Sequence, residues 1–326
     1  MAYRHIAAAF ALAFGTLAAQ DNSVVTLPAP PPSAPGTSTV YAVPSASPGT
    51  AVQPGRAGGL LWKATSATTT VYLAGSIHFG TQDMYPLPAE FERAFEQSSV
   101  LVVEIDAGAV GASQALSLVT TLGTYPLGDS LWNHVNSRTR SGLTALAGKY
   151  GLPAMLLERL KPWAVDFMLA SQMMQAEGMQ PELGLDMHFL NQARGSKRID
   201  ALETPAEQIR ALTSAPESEQ TQGLEKLVTD PERELQTLHT MKSALLQGDV
   251  ATLETLTADE FRNSPVSRKL LLDDRNARMA AAVERYLKGS EPCFVVVGAA
   301  HLIGKEGVVS RLAAKGFTVK RVSSAN

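Results

Sequence analysis

Short, uninterrupted apolar runs mark the strands of this chain. Three of them, Val71–Gly75, Val100–Ile105 and Cys293–Gly298, contain valine and other strand-forming residues without polar alternation. Runs of this kind are typical of strands that are buried on both faces, in the middle of a parallel or mixed sheet covered by helices. Phe317–Val322 predicts a closing strand, and Lys197–Leu202 predicts a brief one.

Helical spacing appears between these runs. Phe91 and Phe95 fall on one face of a helix predicted over Pro88–Gln97, and a second helix is predicted over Gly304–Lys315. Both ends of the domain therefore predict βα units, whereas the middle, about 109–290, is rich in helix formers. The predicted fold class is α/β, with a central mixed or parallel sheet built from N- and C-terminal βα units and a large helical insertion.

The first 58 residues follow neither pattern. The apolar run Ile6–Phe14 follows a short basic start and precedes small residues, which predicts a signal peptide over 1–19 and hence a periplasmic or secreted protein. The alternative is an uncleaved interfacial anchor. Residues 20–58 contain eight prolines and are uncharged over Asn22–Gly55, which predicts a disordered linker. The domain then covers 59–326.

Composition narrows the function classes. The chain has 326 residues, 45% of them hydrophobic, which is enough for one large domain. The formal net charge of −3 means that the chain has no excess of positive charge to attract nucleic acid, so nucleic acid is not expected as a partner. The single cysteine, Cys293, excludes an internal disulfide and a cysteine-rich zinc module. No later apolar run approaches the roughly 20 residues of a membrane span, so none is expected in the mature form.

Candidate chemistry lies at two similar corners. Gly75-Ser-Ile-His78 and Gly298-Ala-Ala-His301 each place a histidine three residues after a glycine that ends an apolar run. Ligands of open α/β sheets bind at the carboxyl ends of strands, so neighbouring strands would direct both imidazoles into one space. Glu104 ends a third run, where a carboxylate is costly unless it is paired. Two histidines and a carboxylate are a common ligand set for a catalytic divalent metal, although satisfied loop histidines are the alternative.

Five segments, taken in order, resemble the TraB/GumN family, which is related to the Tiki metalloproteases and more distantly to the erythromycin-esterase and ChaN-like proteins. They are Leu73–His78, Val102–Asp106, Gly184–Leu190, Ala201–Thr204 and Val297–Leu302. The resemblance covers about 60–323 and implies an α/β fold with a helical insertion. It further implies a metal-dependent peptidase whose ligands and catalytic groups are His78, His301 and Glu104.

Four further residues are predicted to contact the substrate or hold the ligand side chains. Arg275 and Asn276 match an Arg-Asn pair of the family, whereas Asp186 and Glu203 follow from their positions at a helix start and at the end of a predicted strand. Arg275 could orient Glu104 or bind a substrate carboxylate, because its guanidinium favours two-pronged contacts. The alternative is a surface ion pair. The alternative for Asp186 is that its negative charge only stabilises the positive, N-terminal end of a helix. The family usually has tryptophan where this chain has Met279, an apolar exchange beside the Arg-Asn pair.

Three functions follow as hypotheses. The first is an exported hydrolase of peptides or small molecules that uses zinc, manganese or cobalt at His78, His301 and Glu104. The second is a periplasmic binding protein that sequesters a peptide, a signal molecule or a haem-like ligand in the same crevice. The third is a metal-free hydrolase with His78 as base. Ser76 has no nucleophile-elbow motif around it, which argues against a serine nucleophile.

Overall fold

A computed structural model of the chain describes residues 59–106, 117 and 120–322. The predicted signal peptide and linker lie outside the described residues, as does the start of the predicted helical insertion. Those predictions therefore stay predictions.

Within the described residues, six strands form one mixed sheet. The strands are β1 Leu61–Thr65, β2 Thr70–Ser76, β3 Val100–Val103, β4 Arg198–Ala201, β5 Cys293–Gly298 and β6 Thr318–Arg321. Their order across the sheet is β4-β3-β5-β2-β1-β6. The first four strands in that order run parallel, and β1 is antiparallel to both β2 and β6. The predicted α/β fold with a helical insertion is confirmed.

The register places the two glycine–histidine corners side by side. β2 and β5 are parallel neighbours, with Gly75 opposite Val297 and Ser76 opposite Gly298. β3 flanks β5 on its other side, with Val103 opposite Val296. Because parallel strands end at the same edge, the residues that follow β2, β3 and β5 share one rim of the sheet.

Helices cover both faces of this sheet. Their bounds are α1 Ala89–Glu96, α2 Ser137–Lys149, α3 Ala154–Arg159, α4 Pro162–Ala176, α5 Leu185–Ala193, α6 Pro205–Ser214, α7 Glu217–Thr229, α8 Pro231–Gln247, α9 Val250–Glu260, α10 Pro265–Arg268, α11 Asp274–Leu287, α12 Ala299–Leu302 and α13 Val308–Ala314. A π-helical turn, Lys269–Asp273, joins α10 to α11. Proline at the first position of α4, α6, α8 and α10 suits their helix starts, where its missing N–H is not needed.

Two cores sandwich the sheet and a third lies within the insertion. Phe294 of β5 packs with Phe95 of α1 and Phe189 of α5 on one face, at ring-centroid distances of 5.7 and 4.6 Å. On the other face, strand residues such as Val295 pack with the α11 side chains, Met279 among them. The third core joins α2, α4 and α7.

Two details of the fold differ from the sequence prediction. The apolar pattern does not predict β1, because exposed Lys63 interrupts a short run. The last helix begins at Val308 rather than Gly304, since Gly304 adopts a positive φ of 78° in the preceding turn. Across the described residues, no helix combines the length and apolar character that crossing a membrane requires.

The central strand supports a stability prediction. Phe294→Ala removes a fully buried ring from the contact with Phe95 and Phe189, and should lower the free energy of unfolding by about 3–5 kcal/mol. Urea unfolding followed by circular dichroism measures this. Leu127→Ala is the control, because Leu127 is 94% exposed and its loss should cost within about 0.5 kcal/mol. Equal effects of the two variants would contradict the assigned core.

Candidate functional site

Four parallel strands deliver buried polar side chains to one edge of the sheet. His78 lies two residues after β2, Glu104 directly follows β3, and Glu203 lies two residues after β4. His301 lies on α12, which directly follows β5. All four are buried, with at most 5% of each residue exposed. Polar groups at this depth require partners within the protein or a ligand.

Three of these side chains meet around Gly298. A Cβ built at Gly298 would lie 3.5 Å from His301 Cδ2, 3.6 Å from Glu104 Oε2 and 3.9 Å from His78 Nε2. The Gly298 amide donates a hydrogen bond to Glu104 Oε2 at 3.2 Å. We call this space, bounded by His78, Glu104, Gly298 and His301, the histidine cleft. Glycine suits position 298 because any side chain there would occupy the cleft.

Asp186 fixes the ring of His78. Its Oδ2 lies 3.0 Å from His78 Nδ1, and its Oδ1 accepts a hydrogen bond from Ser76 Oγ at 2.9 Å. Asp186 lies in the first turn of α5, after Gly184. A Cβ at Gly184 would come within 2.4 Å of the His78 carbonyl oxygen, so the two segments can approach this closely only because residue 184 is glycine. With Nδ1 engaged by a carboxylate, Nε2 is the ring nitrogen that faces the cleft.

Asn276 fixes the ring of His301 in the same manner. Its Oδ1 lies 2.6 Å from His301 Nδ1, while its Nδ2 donates to the carbonyl of Glu306 at 3.0 Å. Because the amide donates elsewhere, Asn276 Oδ1 is the acceptor and His301 Nδ1 carries the proton. His301 Nε2 is then an acceptor, 3.9 Å from Glu104 Oε2.

The two imidazoles differ in proton affinity. Burial lowers the pKa of His78, but the nearby carboxylates of Asp186 and Glu104 raise it by more than burial lowers it. The pKa of His78 therefore lies above its usual value. Burial and then the charge of Arg275 lower the pKa of His301 to about 3. His301 is therefore neutral at ordinary pH, whereas His78 is the imidazole of the cleft that more readily takes up a proton.

Glu104 is held as an anion. Its Oε1 accepts hydrogen bonds from Arg275 Nη2 and from Gln208 Nε2, the latter at 2.7 Å. Burial favours protonation of Glu104, but Arg275, followed by the two histidines, keeps its pKa well below the usual range. Since Arg275 and Gln208 both bind Oε1, Oε2 is the oxygen that borders the cleft.

Arg275 is fully buried between two carboxylates. Its Nε donates to Glu203 at 2.9 and 3.1 Å, its Nη2 to both Glu203 and Glu104, and its Nη1 to the Leu271 carbonyl at 3.2 Å. The structure thus places Arg275 where it orients Glu104, and not in a surface ion pair. Glu203 holds Arg275 and contacts the half-exposed Arg278 at 3.2 Å, so it lies behind Glu104 rather than in the cleft.

Gln208 is a site residue that the sequence analysis misses. It lies on α6, is fully buried, and has a side-chain oxygen without a hydrogen-bond partner among the described residues. A single glutamine on an amphipathic helix carries no sequence signal that separates it from surface glutamines. Its contact with Glu104 depends on how α6 follows β4, which is a property of the tertiary structure.

The remaining described histidines lie away from the cleft. His134 pairs with Asp129, His188 with Glu92, and His239 with Glu177. The Ser76 hydroxyl donates its hydrogen bond to Asp186, and the backbone amide of Asp186 donates to Ser76 Oγ at 3.2 Å. Ser76 therefore makes no serine–histidine pair with His78.

Among residues 59–106, 117 and 120–322, no three His, Cys, Asp or Glu side chains stand in an arrangement that could hold a metal ion. Donors bound to one tetrahedral zinc ion lie about 3.4 Å apart, given ligand distances of about 2.0–2.2 Å. The 3.9 Å between His301 Nε2 and Glu104 Oε2 is wider than this. The metal ligand set therefore stays a prediction.

A pocket opens from the histidine cleft along the helical insertion. Its polar lining comes from residues such as Ser76, His78, Glu104 and His301, and the rest of its lining is mainly apolar. We call the apolar side chains that the helical insertion contributes the apolar wall; they are Met174, Leu238, Met241, Leu245, Leu253, Leu256, Phe261 and Leu272. The arrangement can place one end of a ligand against reactive groups and the other against hydrocarbon.

A family model for the TraB/PrgY/gumN family matches residues 60–321, which include all of these site residues. The chain belongs to the TraB/PrgY/gumN family. Two curated relatives are the uncharacterized protein YbaP of Escherichia coli K12 and that of Shigella flexneri, each 26% identical over 147 residues. These matches cover 45% of this chain and 53% of each relative, so the chain spans about half the length of the curated relatives it matches. No solved structure matches the chain.

The buried arginine of this TraB/PrgY/gumN member supports a second prediction. Arg275→Gln leaves two buried carboxylates without their cation, so the free energy of unfolding at pH 7 should fall by about 3–5 kcal/mol. Arg278→Gln is the matched control, because Arg278 also pairs with Glu203 but is half exposed; it should cost less than about 1 kcal/mol. Urea unfolding of both variants measures the difference.

The same pair of variants predicts a pH dependence. A carboxylate whose pKa is lowered on folding adds stability above its unfolded pKa, 4.5 for Glu104, and this stability declines as the pH falls below it. Arg275→Gln removes the main cation that lowers the Glu104 pKa. The stability gap between wild type and Arg275→Gln should therefore narrow from pH 7 to pH 4. A gap that does not change with pH would show that Arg275 acts through packing alone.

Proposed function

We propose that this chain is an exported, metal-dependent hydrolase of peptides, with His78, His301 and Glu104 as the metal ligands. The observation that carries the proposal is the meeting of two imidazoles and an ionised carboxylate around Gly298. His301 Nε2 and Glu104 Oε2 are both acceptors, and the Gly298 amide is the donor that reaches Oε2. A cation is the natural complement of such a cluster of lone pairs.

The donor set fits a divalent metal by type. Each imidazole has its Nδ1 held by an acceptor, Asp186 for His78 and Asn276 for His301, which is the usual support of metal-binding histidines. A neutral His301 and an ionised Glu104 are two of the three protonation states that ligation requires. His78, whose pKa is raised, must release its proton when a metal binds.

In the proposed hydrolysis, different residues of the chain have different roles. A divalent metal, when bound, lowers the pKa of a water molecule so that hydroxide forms near neutral pH. Glu104 supplies fixed negative charge, because Arg275, Gln208 and the Gly298 amide keep it ionised. Asp186 and Asn276 keep the two rings from rotating, and the apolar wall excludes water from one side of the substrate.

Two alternatives are outcomes of the same experiment. A metal-free hydrolase would use His78 Nε2 as base, since the pKa of His78 is raised. Such an enzyme would keep its activity in chelator. A binding protein for a peptide or a haem-like ligand would bind its ligand in the same pocket without turnover.

Metal content and hydrolysis should depend on the same side chains. The native protein should carry zinc, manganese or cobalt, measured by plasma mass spectrometry, and cleave a mixed peptide pool in a reaction that chelator stops. His301→Ala and Glu104→Gln should each lower metal affinity and cleavage by about 100-fold or more, because each removes a proposed ligand. His239→Ala should change neither, since His239 lies at the surface beside Glu177.

Full metal binding and cleavage in His301→Ala would refute the proposal. Cleavage that survives chelator would favour His78 as a metal-free base. Saturable binding of a peptide without cleavage would favour the sequestering protein.

Export is a separate part of the proposal. It rests on the apolar run Ile6–Phe14 and predicts a mature chain in the periplasm that lacks residues 1–19. The mass of the protein from the periplasmic fraction of a Gram-negative host measures this. Leu12→Arg places a charge within the run and should leave the full-length chain in the cytoplasm. A wild-type chain that stays in the cytoplasm and retains Met1 would contradict export.

A further inference from the structure

The apolar wall is built by one face of each of two helices. On α8, Leu238, Met241 and Leu245 recur at helical spacing and line the pocket. On α9, Leu253 and Leu256 do the same. These stripes pack into the main core of the domain and also border the pocket that contains the histidine cleft.

We propose that the apolar wall is a specificity pocket for one large aliphatic or aromatic side chain of a peptide, next to the bond that is cleaved. This inference rests on the proposed function, because it places the cleaved bond at His78, Glu104 and His301. The pocket is continuous from those three groups to the wall, so a peptide bond at the cleft leaves its neighbouring side chain within reach of α8 and α9.

The chemistry of the wall selects against charge. Outside the histidine cleft, Glu260 is the charged residue that borders the described part of the pocket, and its carboxylate already pairs with Lys226 at 3.2 Å. An acidic side chain would meet that carboxylate, and a basic side chain would lose its hydration against hydrocarbon. An aliphatic or aromatic side chain has no polar hydration to lose and gains the burial of apolar surface.

The cavity has a volume of about 70 Å³, so a large side chain enters only if the wall adapts. Met174 and Met241 face the pocket from α4 and α8, and the thioether side chain fills irregular space by changing rotamer. Met241 and Leu256 are half-buried, whereas Leu253 and Leu245 lie deeper. This gradient places Met241 and Leu256 at the mouth. We therefore expect a preference for large apolar side chains as a class rather than for one amino acid.

The test uses quenched fluorescent peptides that differ at one position, with Gly, Ala, Leu, Phe, Lys or Glu there. For the wild-type protein, kcat/KM should rise by roughly fourfold for each methylene buried, so Leu and Phe should exceed Ala by tenfold or more. Lys and Glu should fall below Ala. A preference for Lys or Glu, or no preference, overturns the inference.

Leu256→Trp fills the mouth of the pocket. It should lower the ratio of kcat/KM for the Phe peptide to kcat/KM for the Ala peptide by tenfold or more, since only the large side chain competes for the filled space. Leu256→Ala is the second variant; it enlarges the mouth and should raise the relative kcat/KM of a Trp peptide. Leu127→Trp, at a fully exposed site, is the matched control and should leave the preference unchanged.

A measurement of peptide binding tests the specificity pocket independently of the proposed hydrolysis. Fluorescence anisotropy of the same peptides on chelator-treated wild type should show tighter binding of Leu and Phe than of Gly, and Leu256→Trp should remove the difference. If the peptides bind with this preference but are never cleaved, the pocket stands and the proposed hydrolysis fails. If they are cleaved without regard to the varied side chain, the hydrolysis stands and the pocket inference fails.

Discussion

A buried arginine between two buried carboxylates is the constraint on which the edge of the sheet depends. Removing an ion from water costs several kcal/mol even after the protein relaxes, so Arg275, Glu104 and Glu203 are tolerable only together. The planar guanidinium serves both carboxylates and the Leu271 carbonyl at once, which the single ammonium of lysine would not do in this geometry. The network ties α11 to the ends of β3 and β4, and so fixes Glu104 relative to the two histidines.

The histidines show how similar corners can acquire different properties. His78 and His301 follow parallel neighbouring strands, and each has its Nδ1 held by a short side chain. For His78 that side chain is the anionic Asp186, whereas for His301 it is the neutral Asn276 on the helix that carries Arg275. Proximity to an anion raises proton affinity, and proximity to a cation lowers it. The pKa values of two imidazoles in one cleft are thereby driven apart.

The central strands could be predicted from sequence because burial on both faces requires continuous apolar runs, as in Val71–Gly75 and Cys293–Gly298. The glycine–histidine corners and Glu104 could be identified because polar residues that end such runs are costly without a role. β1 could not be predicted, because the exposed Lys63 interrupts its short apolar run. The contact of Arg275 with Glu104 was one of the alternatives that the sequence left open. Its full burial and the contact of Gln208 with Glu104 could not be predicted, because a charged or amide residue on a helix is usually at the surface. Their partners are distant in the chain and meet only when β4, α6 and α11 come together.

The apolar wall of the pocket could not be predicted from the sequence for a different reason. The spacing of Leu238, Met241 and Leu245 is the same whether a helix faces a core or a ligand, so periodicity alone predicts burial and not a binding surface. In the proposed function the two roles are separated by position: the sheet edge carries the proposed metal ligands, and α8 and α9 carry the wall proposed to contact the rest of a ligand. Changes on those two helices can therefore alter which ligand fits without moving the strands, the buried ion pairs or the histidines. In the proposed function, buried charge fixes the proposed metal ligands while the helical insertion sets which ligand reaches them.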